Sequence, residues 1–137
     1  MRLNLKYLLL LWGLLSLGSC ENKEDEVQAS TRYLNQFTNQ IIGKVNSKGN
    51  LIEGIKAGSV FLQKEKPVFV QKVALTKNTN RAQVSKQTAK AWQTAVVANL
   101  KRVEDLKTKH QSKALRNAKL AQALNKLTKD YRDILQK

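Results

Sequence analysis

Residues 116–137 read RNAKLAQALNKLTKDYRDILQK, and within them Leu120, Leu124, Leu127, Tyr131 and Ile134 recur at alternating spacings of four and three. That seven-residue repeat lays one apolar stripe along an α-helix. Toward the N-terminus, the chain holds neither Gly nor Pro from Val68 onward and is rich in the helix formers Ala, Lys, Gln and Leu. Val84, Ala91, Trp92, Val96, Leu100, Val103 and Leu106 trace a second stripe there. It fades through the polar stretch Lys107–Gln111, where Ser112 offers a fresh N-cap. Two antiparallel helices joined near His110 would bury both stripes against each other. A single helix of about 57 residues, roughly 85 Å long, would instead need a coiled-coil partner, which makes the C-terminal helices the place where an oligomer would form.

Further upstream, Leu34, Phe37, Ile41 and Val45 mark the buried face of a helix that Ser30 or Thr31 would cap, and NSKGN at 46–50 ends it with turn chemistry. Leu51, Ile52, Ile55, Phe61 and Leu62 form the next apolar segment. Gly54 and Gly58 within it read as a packing or turn feature, because Glu53 and Lys56 are foreign to the apolar membrane helices that use such pairs. Residues 60–75, VFLQKEKPVFVQKVAL, are open to two readings. The β-branched and aromatic runs around Pro67 suit a short β-hairpin near 59–75, and they equally suit two helical pieces broken at the proline. The expected fold class is all-α: a small helical bundle or helical hairpin with long C-terminal helices, with that hairpin as the β alternative.

The chain opens MRLNLKYLLLLWGLLSLGSC, where Arg2 and Lys6 precede an apolar run and small residues precede a cysteine. This is the layout of a secretory signal peptide. A bilayer crossing takes roughly 20 apolar residues, and the run from Tyr7 to Leu17 is shorter and interrupted by Gly13 and Ser16. Leu17-Gly18-Ser19-Cys20 resembles the lipobox of bacterial lipoproteins. The resemblance implies cleavage between Ser19 and Cys20, and a diacylglycerol thioether-linked to Cys20, usually with an N-acyl chain as well. Each buried methylene contributes about 0.8 kcal/mol and two or more chains anchor stably, so the implied product is held on a membrane by its lipid. The bland alternative is an ordinary leader whose Cys20 stays a free thiol, which is reactive in a secreted protein. Cys20 is the only cysteine, so no disulfide supports the fold.

On this reading residues 1–19 are the leader, 20–29 an acidic tether and 30–137 a basic helical domain. Four of the ten acidic residues fall within Glu21–Glu26, and from Val27 onward 22 basic residues face 6 acidic ones, net +16. So charged a stretch with no large apolar residue is expected to be a disordered spacer. An acidic cluster just behind a lipidated cysteine also resembles the signal that carries some lipoproteins of Gram-negative bacteria to the outer face of the outer membrane. The location implied is the cell envelope, lipid-anchored to the outer membrane on its periplasmic face or at the cell surface.

Catalytic chemistry finds little to work with. A zinc site takes three or four Cys, His or carboxylate ligands, and His110 is the lone histidine. It is also the only base available to a nucleophile, and Ser112, two positions away, points elsewhere on a helix. His110 reads as a solvated loop or helix-end residue. Asp130 and Asp133 follow Lys126 and Lys129 by four residues, as Asp105 follows Lys101 and precedes Lys109, and such spacings make surface ion pairs rather than acid–base dyads. No Gly-rich phosphate loop is present. No cofactor, metal or catalytic residue is expected.

What remains is charge. Lys101, Arg102, Lys107, Lys109, Lys113, Arg116 and Lys119 are the candidate anion-binding residues, followed by Lys126, Lys129 and Arg132. Part of this serves solubility, but a net +16 also concentrates polyanions nearby. Specific nucleic-acid binding is not expected, because stacking needs aromatics among the cations and Tyr33, Phe37, Phe61, Phe69, Trp92 and Tyr131 fall mostly on the apolar stripes. The expected function is a non-catalytic, lipid-anchored envelope lipoprotein that binds an anionic polymer or surface, or an acidic protein, through its basic helices. The alternative is a lipoprotein of phage or plasmid exclusion, or an inhibitor of an envelope enzyme.

Overall fold

A computed structural model describes residues 22–79 and 81–136. The leader, Ser19 and Cys20 lie outside the described residues. The described residues form an all-α helical bundle of five α-helices: α1 (Lys23–Asn46), α2 (Leu51–Lys77), α3 (Lys86–Lys109), the short α4 (Gln111–Leu115) and α5 (Ala118–Gln136).

The first helix begins well before the expected cap. Asn22 accepts a hydrogen bond from the Glu24 backbone N–H at 3.1 Å, and Glu24, Asp25 and Glu26 occupy the first turn, where carboxylates complement the positive end of the helix dipole. The acidic stretch is therefore helix from Lys23 on, not a disordered tether through residue 29. Burial of Val27 within the stretch, and of Ser30 just after it, explains why: this end of the helix does find a core to enter. Ser30 and Thr31 cap nothing; their hydroxyls donate to the carbonyls of Lys72 at 3.3 Å and Val27 at 2.8 Å. Leu34, Phe37, Ile41 and Val45 form the buried face as expected.

A turn over 47–50 leads to Asn50, which caps α2 by accepting from the Ile52 N–H at 2.9 Å. The two glycines of α2 are packing residues. A Cβ on Gly54 would stand 2.1 Å from the Val45 carbonyl oxygen, and one on Gly58 would stand 3.0 Å from Val45 Cγ2, so α1 and α2 cross more closely than any side chain would permit.

Residues 59–75 settle as neither hairpin nor broken helix, because α2 runs unbroken through Pro67. An internal proline costs about 3 kcal/mol. Against it stand Ile55, Leu62, Phe69 and Val73, all buried at helical spacing, each contributing about 1.5–3 kcal/mol. The valines that suggested strands, Val60, Val68 and Val70, lie on the exposed side.

Ser85 caps α3 through the Thr88 N–H at 3.1 Å, and Asn117 accepts from the Leu120 N–H at 3.1 Å to start α5; Ser112 is not a cap. The α5 stripe is buried throughout, from Leu120 to Ile134. The α3 stripe is displaced: Val103 and Leu106 are buried, but Thr88, Ala95 and Asn99 share their line, whereas Ala91 is exposed. As one of the two sequence readings holds, α3 and α5 are antiparallel and pack together.

The four long helices form a ring in the order α1, α2, α5, α3. Glu24 meets Ser85 at one end and Asn46 shares a groove with Lys109 at the other, so α1 and α3 run parallel. The C-terminal end of α2 and the N-terminal end of α3 therefore lie diagonally across the ring from each other. Phe37 and Phe69, with ring centroids 4.3 Å apart, centre an aromatic cluster that includes Tyr33, Phe61 and Tyr131. Tyr131 reaches across from α5 to Thr38 Oγ1 at 2.6 Å, and burial pushes its pKa up to about 12.

Candidate anion-binding site

The candidate cations divide into two groups. Lys101 pairs with Asp105 at 3.0 Å and Lys107 with Glu104 at 3.4 Å. Arg102, though exposed, links two helices: its Nη1 donates to Asn99 Oδ1 at 3.1 Å and its Nη2 to Asn39 Oδ1 at 2.5 Å. These three serve the bundle, and Arg102 in particular is a seam residue between α3 and α1. Lys109, Lys113, Arg116 and Lys119 are exposed, and no carboxylate among the described residues pairs with them. Lys109 does not join Asp105, which Lys101 already holds.

These four cations stand where α3 ends, α4 turns and α5 begins. Between Asp105 and Asp130 the chain has seven basic residues and no acid. The last two of them, Lys126 and Lys129, pair with Asp130 at 2.5 Å and Asp133 at 2.6 Å, and the first is Lys107. Lys48, in the turn that follows Asn46, adds charge at the same end, and Glu53 in the first turn of α2 offsets it. A second acid-free run, Lys66–Val103, holds eight basic residues, but it spreads toward the opposite end, where Glu24, Asp25, Glu26 and Asp133 offset it. There Lys66 and Lys77 line one groove together with Asp130 and Asp133. The excess positive charge is thus concentrated at the α3–α4–α5 end.

His110 sits in the middle of this end as the C-cap of α3. Its pKa is lowered by burial first and then by Lys109 and Lys113, which keeps the ring neutral at pH 7. Its Nε2 is enclosed and has no hydrogen-bond partner, so the ring is less solvated than the polar sequence around it implies. Asp130 and Asp133 are the surface ion-pair members their spacing predicts. Among the described residues there is no cluster of three metal-binding groups and no helix long and apolar enough to cross a membrane.

Sequence reasoning named Arg102 as a candidate but not its link to α1, because Asn39 lies 63 residues away, and it missed one residue at this site. Leu115, on α4, is 80% exposed; its place off both apolar stripes was the available signal. Comparison with known protein families, curated proteins and solved structures finds no match for the chain.

Proposed function

We propose that the protein is a lipid-anchored component of a bacterial cell envelope, held on the outer membrane through an acylated Cys20, whose non-catalytic body binds an anionic surface or acidic partner through its basic helices. The anchor reading rests on the leader closing in Leu17-Gly18-Ser19-Cys20. The binding reading rests on one observation above all: four exposed cations at one end of the bundle that pair with no carboxylate among the described residues. Paired surface lysines hold their charge in local bridges worth a few tenths of a kcal/mol, whereas unpaired ones in a cluster present a field to whatever approaches.

The mature chain carrying Cys20→Ser, which lacks the lipid, should bind phosphatidylglycerol vesicles or lipopolysaccharide with affinity that falls steeply with salt, since exposed charges are screened within about 10 Å at 0.1 M. Reversing Lys109, Lys113 and Arg116 together to Glu should weaken binding while the helical circular dichroism stays unchanged. Binding that ignores salt, or none to any polyanion at low ionic strength, would sink this reading. Cys20→Ser should independently abolish labelling by a palmitate analogue and release the protein from membranes.

A further inference from the structure

Leu115 ends α4, the five-residue helix that carries the chain from α3 to α5. Among the described residues it is the most exposed of the large apolar side chains, and Lys113, Arg116 and Lys119 surround it in sequence. Beside it a shallow groove of about 180 Å³ is lined by Lys107, Ala114, Ala121 and Leu124. Cations alone would suit any polyanion. A leucine set among them is wasted on a glycan or a nucleic-acid backbone, but a lipid surface answers both groups, with phosphates for the cations and acyl carbon for the leucine. One apolar side chain among cations matches the roughly 5–10 Å depth of the headgroup boundary.

The position of this tip adds a second element. α1 and α3 run parallel, so the tip lies at the end of the bundle opposite Asn22. The 24 residues of α1 span about 36 Å at 1.5 Å per residue, several times the screening length of about 8–10 Å. Cys20 is two residues before Asn22. We infer that the α3–α4–α5 tip docks on an anionic lipid surface other than the one that holds Cys20, with Leu115 entering the headgroup boundary and Lys113, Arg116 and Lys119 on phosphates, so that the protein bridges two lipid surfaces. This rests on the anchored, anion-binding reading above.

The test reconstitutes the mature lipoprotein in neutral phosphatidylcholine vesicles and measures capture of dye-labelled phosphatidylglycerol vesicles. Capture should occur at low salt, disappear at high salt, fall about tenfold with Leu115→Ser and recover with Leu115→Met. Capture that is indifferent to Leu115→Ser but lost on reversal of Lys109, Lys113 and Arg116 overturns lipid insertion while leaving the anionic-surface reading intact. If no capture occurs although the mature chain with Cys20→Ser binds phosphatidylglycerol vesicles directly, the bridging arrangement is overturned. Failure of both arms overturns the inference and the anion-binding reading together, and leaves the Cys20 anchor to its own test.

Discussion

α1 meets its two ring neighbours through surfaces of opposite chemistry. Toward α2 it presents Phe37, Ile41 and Val45, and the helices approach until Gly54 has no room for a methyl group. Toward α3 it presents Glu24, Asn35 and Asn39. The Glu24 carboxylate accepts from the Ser85 N–H at 2.8 Å, the Ser85 hydroxyl at 2.7 Å and the Thr88 hydroxyl, while Asn99 Nδ2 donates to Asn35 Oδ1 at 2.6 Å. The dry seam holds by shape and area, which tolerates no added volume. The polar seam holds by matched donors and acceptors, which fix how far α3 may slide along α1 and are costly only when one partner is lost.

The largest effect should come from the dry seam. Gly54→Ala gains about 1 kcal/mol of helix propensity, but its Cβ collides with the Val45 backbone, and separating α1 from α2 should cost about 3 kcal/mol or more. Gly43, with nothing within 4 Å of its Cβ position, is the control: Gly43→Ala should raise stability by up to about 1 kcal/mol. Urea denaturation of both variants checks the pair, and a stable Gly54→Ala variant would mean that the seam is not closed. Second in size, Asn99→Ala strips partners from Asn35 and Arg102 together and should cost about 1–3 kcal/mol. A loss well below that range would show the polar seam to be incidental.

The contrast between the seams also explains what could be read from the sequence. The stripes of α1 and α5 were legible because each buries an unbroken apolar line, Leu34 to Val45 and Leu120 to Ile134. The inner line of α3 was not, since Thr88 and Asn99 are buried against partners on α1 more than sixty residues away. The same distance hid the helical nature of the acidic stretch, whose Glu24 is fixed by Ser85. Pro67 argued locally for a break, and only the summed burial of Ile55, Leu62, Phe69 and Val73 overrules it. At the candidate site the charge was legible but its neutralisation was not: spacing assigned Lys109 to Asp105, and nothing separated the paired Lys101 and Lys107 from the unpaired Lys113, Arg116 and Lys119.

The smallest effect concerns pH. Hydrogen bonds from Thr88 and then Ser85 lower the Glu24 pKa below its ordinary 4.5. A depressed carboxylate contributes stability that is present above the unfolded-state value and lost as pH falls through the folded one. The polar seam should therefore loosen in acid while the dry seam does not. Glu24→Gln should flatten the dependence of melting temperature on pH below 4.5 relative to the unmodified protein, and identical acid profiles would remove Glu24 from the seam.

The parallel run of α1 and α3 has a mechanical consequence. A pull that enters at Asn22 and is resisted at Leu115 acts at opposite ends of two side-by-side rods. It loads their contact in shear, so the Glu24, Asn35 and Asn39 links bear tension together. A hairpin pulled from both strands at one end would lose its links one after another. This arrangement of helices therefore makes the weaker, wetter seam the one best oriented to transmit force along the length of the molecule.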